Sequence, residues 1–224
     1  MPADATDALL DAAERIGAEQ GLAAMSIRAV QAASGQRNNS AVQYYFGGRD
    51  GLIEAVVARH MGPVNERRTE LLLGLPGDPS LRTLVEVLVV PIADEVRSRP
   101  GFWARFVMQA MLDPSTTATA QRPMENPASR AVHTRILDQL GHLPAALAAR
   151  RLTHAQGLML LGLAVIEAGD DDRGLVLPVL GAALGVLDPA DAVAELVDMV
   201  LGVLQAPSTA ASPDSADSAD AFAP

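Results

Sequence analysis

The chain has 224 residues, 49% of them hydrophobic, enough to bury a sizeable core in one large domain or in a small domain fused to a larger one. It holds no cysteine, which excludes disulfides, thiolate metal sites and cysteine nucleophiles. Its formal net charge of −10 argues at first against a nucleic-acid partner, because an acidic protein repels phosphate.

Helix-type spacing of apolar residues dominates and no segment alternates like a strand, so the expected fold class is all-α. Asp4 or Thr6 caps a first helix reaching Gln20, with Leu9, Leu10, Ala13 and Ile16 on one side and Gly21 as its stop. Ser26 opens a second helix over 27–33, closed by Gly35. A polar turn of Gln36, Arg37, Asn38 and Asn39 leads into a short third helix over 40–45, broken by Gly47 and Gly48. Asp50 then opens an amphipathic segment over 51–73, in which Pro63 marks a kink or break.

Longer helical patterns follow at 80–98, 100–111, 126–140, 153–168 and 189–204. The stretches 76–79, 114–127 and 169–174 read as connectors rich in Pro, Gly, Ser, Thr and Asp. Residues 175–186 are apolar and read as helical after Pro178. The expected organisation is a small helical domain over 1–48, a larger helical domain over 49–206 and a disordered acidic tail over 207–224. The apolar runs 157–168 and 175–187 are too short to span a bilayer, and residues 1–7 lack the basic and apolar regions of a signal peptide. The expectation is a soluble, cytoplasmic protein with no membrane contact.

The net charge hides a local exception. From Ser26 to Arg49 there is no Asp or Glu, while Arg28, Arg37 and Arg49 are present. DNA feels the local field within about one Debye length, roughly 8–10 Å, so this window counts for more than the global sum. Two short helices joined by a glycine-containing polar turn, with a supporting helix before them, form a helix-turn-helix pattern. Gln36, Arg37, Asn38, Asn39, Ser40 and Gln43 carry amides, a guanidinium and a hydroxyl that match the paired donors and acceptors of base edges. Ser26, Tyr44, Tyr45 and Arg49 suit phosphate contacts, and Arg28 adds a cation whose alternative is a solvated surface charge. For Asn38 and Asn39 the plainer alternative is a turn and helix cap.

The run LLDAAERIGAEQGLAAMSIRAVQAASGQRNNSAVQYYFGGRDGLIEAV, residues 9–56, resembles the N-terminal domain of the TetR family of bacterial transcriptional regulators. The matching pieces fall in family order: LLDAA, Glu19-Gln20-Gly21, Ser26-Ile27-Arg28, Ala32-Ala33-Ser34-Gly35, Tyr44-Tyr45-Phe46 and Arg49-Asp50-Gly51-Leu52. The resemblance covers about a quarter of the chain. It implies that residues 37–43 face bases, that Ser26, Tyr44, Tyr45 and Arg49 face phosphates, and that Val42 and Phe46 pack inward. Three departures stand out. The turn is one residue longer than the commonest family form, Tyr45 replaces the usual His, and Gly17 stands where a large apolar residue is usual. The resemblance also implies a homodimer built from the last two helices, 153–168 and 189–204, reading an approximately palindromic operator with recognition helices roughly 34–36 Å apart.

In the larger domain, Phe102, Trp103, Phe106, Met108 and Met111 cluster on one short helix, either as core or as the wall of a ligand cavity. Arg105 and Glu167 lie in apolar helical runs, where a buried charge needs a partner or a ligand. With His133 they complete a candidate pocket for an unidentified small-molecule effector. His133, His142 and His154 have no metal-ligand spacing, so neither a metal nor a cofactor is expected. No nucleophile elbow, zinc-protease motif or phosphate-cradling loop points to an enzyme. Two readings remain: a transcriptional regulator, expected to be a repressor released from its operator by the effector, and a helical dimeric protein that binds a small molecule or partner without operator-specific DNA binding.

Overall fold

The computed structural model describes residues 3–35, 41–99, 101–168 and 188–208, and among these the fold is all-α, with no strand. Helix α1 (Ala3–Gln20) turns Leu9, Leu10, Ala13 and Ile16 inward and ends at Gly21, whose φ of 82° suits glycine. A single 3-10 turn (Leu22–Ala24) leads to α2 (Ile27–Ala33), whose first turn is capped by Ser26 Oγ accepting from the Ala29 amide at 3.1 Å. Helix α3 (Ala41–Phe46) follows. The expected turn residues Gln36, Arg37, Asn38, Asn39 and Ser40, the apolar segment 175–186 and most of the acidic tail lie outside the described residues.

Helix α4 (Arg49–Gly74) is the axis of the molecule, about 39 Å long at 1.5 Å per residue. It packs against α1 and α3 at one end and against α5 (Leu81–Ser98), α6 (Trp103–Leu112), α7 (Thr117–Met124) and α8 (Pro127–Gln139) further along. Pro63 neither ends nor interrupts it: the proline side chain is exposed, while Met61 and Val64 on either side are buried and hold the helix to the core. Helix α9 (Ala145–Ala168) begins eight residues before the sequence pattern suggested, because Arg151 in its second turn is buried and donates to the Leu204 carbonyl at 3.1 Å. Helix α10 (Pro189–Gln205) packs on α9, with Leu196 seated directly over Gly162, where a Cβ would push the leucine methyl groups aside.

Helix α7 corrects the reading of 114–127 as a connector. Its residues are mostly small or polar, so periodicity is faint. Thr116 and Thr117 hold its start by hydrogen bonds to the carbonyls of Ala110, Met111 and Asp113, and Thr119 and Ala120 are buried. Side-chain-to-backbone bonding, rather than an apolar stripe, makes this helix.

One hydrophobic core runs from Leu9 on α1 to Leu204 on α10. The joint between the N-terminal helices and the rest is Gly17. A Cβ built there would lie 2.5 and 2.6 Å from the Phe106 ring, so the space beside α1 at this position is filled from α6. Phe106 is fully buried. Phe106→Ala should therefore cost about 3–5 kcal/mol, read as a lower urea midpoint. A loss under about 1 kcal/mol would mean that α6 does not plug α1.

Candidate nucleic-acid interface

Helix α3 is fixed by its inner face. Val42 is fully buried and Phe46 half-buried, while Gln43, Tyr44 and Tyr45 stand on the outside. Tyr44 is 80% exposed and its ring meets Tyr45 edge-on with centroids 4.9 Å apart. A cluster of large exposed aromatics is unusual unless something else covers it, and a hydroxyl-tipped ring is suited to a wet, polar partner. Gln43 Nε2 donates to the Gly47 carbonyl at 3.3 Å, which orients the amide along the helix.

The neighbouring helix presents the rest. Ser26 and Arg28 are exposed at the start of α2. Arg49 behaves differently: it is half-buried, and its Nη2 donates to the Leu22 carbonyl at 2.8 Å, bracing the 3-10 turn against the start of α4. Gly51 allows this close arrangement, since any Cβ would collide with the carbonyl at the end of α3. The five polar residues 36–40, assigned to base reading, fall outside the described residues, so Gln43 is the one expected base-reading residue with a described position.

The expected ligand-cavity residues have mainly internal partners. Trp103 is buried with its ring 5.3 Å from that of His60, and Phe106 plugs Gly17. Glu167 accepts from the Ala104 and Arg105 amides at 2.7 and 3.1 Å and from Arg105 Nε at 3.3 Å, so it caps the first turn of α6 from α9. Burial pushes the Glu167 carboxyl above its ordinary 4.5, against the pull of those N–H groups and the Arg105 charge. Arg105 also lies 4.8 Å from the centre of the Phe102 ring. Met108 and Met111 are half-buried, and His133 meets Gln156 at 3.2 Å across α8 and α9.

Sequence reading missed a buried polar cluster. Glu14, His60 and Arg68 occupy core register on α1 and α4, each 3% exposed or less. Glu14 accepts from the Phe102 amide, Arg59 and His60, and His60 also meets Glu95. Burial pushes the Glu14 carboxyl up, but His60, the Phe102 amide and Arg59 together hold it below 4.5. The signal was present: His60 falls in the inward series Ile53, Val56, Val57, Met61 and Val64, where a histidine is out of place. Beside this cluster an open cleft of about 840 Å³ is lined by Asp11, Glu14, Arg59, His60, Arg99 and Phe102, among others. Among the described residues no group of His, Asp and Glu is arranged to hold a metal ion, and no helix is long and apolar enough to cross a membrane.

Two of these local interactions can be measured as stability. Ser26→Ala should remove the α2 cap and cost about 1 kcal/mol in thermal or urea unfolding. At His133, burial and the Arg68 charge hold the pKa below 6.5. The unfolded chain takes up this proton first, so the histidine's share of stability is complete above pH 6.5 and declines as the pH falls below it. The urea midpoint measured against pH should slope less on the acid side in His133→Gln than in the wild type.

No protein-family model matches the chain, and no curated protein matches it in sequence. Among solved structures, the chain is similar to the TetR family transcriptional regulator PfmR from Thermus thermophilus, at 18% identity over 90% of this chain and 96% of that one, with a TM-score of 0.47.

Proposed function

We propose that this protein is a dimeric, sequence-specific reader of double-stranded DNA, acting as a transcriptional repressor that a small molecule releases from a palindromic operator. The observation that carries the reading is the outer face of α2 and α3. Ser26, Arg28, Gln43, Tyr44 and Tyr45 are exposed together on two short helices, one pinned inward by Val30 and the other by Val42, in a stretch of sequence without an acidic residue. An acidic chain that keeps one window free of carboxylates, and fills it with amides, hydroxyls and arginine, meets the needs of a phosphate-lined partner. The resemblance of residues 9–56 to TetR-family N-terminal domains supports the same reading. Gln43 and residues 36–40 would read bases. Ser26, Tyr44 and Tyr45 would set register on phosphates, with Arg28 adding charge and Arg49 serving first as a brace.

In this reading residues 1–48 form the DNA-reading head, 49–206 the dimerisation and effector-binding body, and 207–224 an acidic tail. Support for the dimer comes from α9 and α10, where Gly157, Leu161, Met199 and Gly202 are exposed on adjoining helices. Small and apolar residues on an outer face allow close helix approach by a second copy.

Selection of bound duplexes from a random pool, followed by salt titration of the winner, tests the proposal. An enriched sequence with two half-sites, bound more weakly as salt rises, is expected. Absence of enrichment even at low salt would overturn the reading in favour of a helical binding protein without operator specificity. On the selected duplex, Tyr44→Phe should weaken binding by about 1–2 kcal/mol regardless of sequence. Arg28→Ala should lower the salt slope by about 1, and Gln43→Ala should change base preference.

A further inference from the structure

The open cleft of about 840 Å³ beside Glu14 lies where the N-terminal helices meet the larger body. Asp7, Asp11 and Arg15 of α1 line it, with Ala33 from the end of α2 and Arg99 and Phe102 from the passage between α5 and α6. Of the residues expected to form an effector pocket, Phe102 alone borders this cleft. Trp103 is buried against His60, Phe106 plugs Gly17, and Glu167 caps α6.

The charged groups of the cleft divide into those already committed and those with capacity left. Glu14 uses both oxygens, on the Phe102 amide, Arg59 and His60. Arg59 gives one Nη to Glu14 and the other to Asp11 Oδ1. These contacts hold helices together. The rim is different. Arg15 and Asp7 are exposed, and neither side chain makes a hydrogen bond or ion pair among the described residues. Arg99 is half-exposed, and its Nε stands 3.7 Å from Glu95 Oε1, beyond hydrogen-bond distance, so its guanidinium fork is open. Asp11 is 70% exposed and engages one oxygen of its two.

Sign and spacing define what fits. Asp7, Asp11 and Glu14 are balanced by Arg15, Arg59 and Arg99, in a chain whose net charge is −10. A simple cation or a simple anion gains little overall from such a balanced site, whereas a molecule carrying both charges gains at each end. Asp7, Asp11 and Arg15 recur every four residues along one face of α1, so the free acids stand about 6 and 12 Å along the axis from the free base. Between the charged ends the lining is apolar: Ala8 and Ala12 on α1, Ala33 on α2, and the Phe102 ring. The Ser34 hydroxyl nearby already donates to the Gln31 carbonyl.

We propose that this cleft is a binding site for a small zwitterion, an ammonium and a carboxylate joined by an apolar spacer long enough to bridge one to two helical turns. Asp7 and the second oxygen of Asp11 receive the ammonium. Arg15 and Arg99 receive the carboxylate, and the spacer lies on the alanines and Phe102. Such a ligand ties α1 to the passage between α5 and α6, and so favours one placement of the N-terminal helices on the body. Its role as the effector rests on the DNA-reading proposal; the site itself does not.

Calorimetric titration of the full chain without DNA tests the site, with 6-aminohexanoate as the probe. Hexanoate and hexylamine supply the single charges, and glycine is a zwitterion too short to bridge the ends. The probe should bind with a dissociation constant of about 1 mM or tighter, and the other three at least about fivefold more weakly. In backbone NMR spectra the amides of Ala12, Ala33 and Phe102 should shift on titration. Arg15→Gln and Asp7→Asn should leave the unfolding midpoint unchanged, since neither side chain has a partner in the fold. Arg15→Gln should narrow the probe's advantage over hexylamine and keep its advantage over hexanoate. Asp7→Asn should do the reverse.

Failure of 6-aminohexanoate to bind would overturn the proposal, as would equal binding of hexanoate or hexylamine, or amide shifts confined to other parts of the chain. Variants that weaken all four compounds alike would overturn the assignment of the two ends. With the probe saturating, affinity for the selected duplex should fall at least about fivefold. An unchanged affinity would overturn the effector role. A chain that binds the probe with the crossed pattern but binds no duplex would sink the DNA-reading proposal and leave the zwitterion site standing.

Discussion

Glu14 is a carboxylate 3% exposed at the floor of the open cleft, where α1 meets α4 and the entry to α6, and the packing around it follows from the need to satisfy it. An ionised carboxylate taken out of water costs several kcal/mol unless donors replace the lost solvation. Here three donors come from three directions: the Phe102 amide, Arg59 and His60. Two of them stand on α4 and the third leads into α6, so one buried charge on α1 fixes the relative placement of α1, α4 and α6. Such a cluster adds little net stability compared with an apolar equivalent, but losing one partner is expensive. Its value lies in specifying one arrangement. The Phe106 ring against Gly17 does the same by shape, a turn further along α1.

Buried cations follow the same logic further along α4. Arg68 is 1% exposed and is met by carbonyls rather than by a carboxylate. Its Nε and Nη2 donate to the carbonyls of Val87 and Leu88 at 3.3 and 3.1 Å, and Nη1 to Asn65 Oδ1 at 3.3 Å. Pro91 explains why Val87 has a carbonyl to offer: a proline has no N–H, so the oxygen four residues before it loses its helical donor. The guanidinium repairs the gap that Pro91 opens in α5. Without an acidic partner it is desolvated, and burial lowers its pKa to about 10, so it remains charged at neutral pH. Its field also helps keep the neighbouring His133 neutral.

The parts of this fold legible in the sequence are those written as apolar periodicity and stop signals. Helices α1 and α2 fall where Leu9, Leu10, Ala13, Ile16 and the Ser26 cap place them, and α10 starts at Pro189 as its pattern indicates. Helix α7 was not legible, because hydroxyl-to-carbonyl bonds from Thr116 and Thr117 hold its start instead of an apolar stripe. Pro63 marks no break, because the buried Met61 and Val64 around it carry α4 through. The exposed face of Gln43, Tyr44 and Tyr45 was readable from residue type, whereas the half-buried setting of Arg49 was not: its partner, Leu22, lies 27 positions away. The Glu14 cluster shows the same limit. Glutamate, histidine and arginine look like surface residues one at a time, and only their inward register on two distant helices marks them as buried.

The continuous core bears on how a signal could cross the molecule. A DNA-reading head attached by a free linker would move independently of events in the body, and ligand binding there would not alter the spacing of two recognition helices. Here α1 is plugged by Phe106 from α6, and α6 is capped by Glu167 from α9, the helix that offers part of the exposed apolar face. A shift of α6 by a fraction of a side chain would therefore act at Gly17 and at the Phe102 amide on Glu14 together. Packed interfaces of this kind switch between discrete arrangements rather than deforming smoothly. On the proposed function, the coupling between body and operator is limited by the difference in free energy between those arrangements, whatever the affinity of the effector itself.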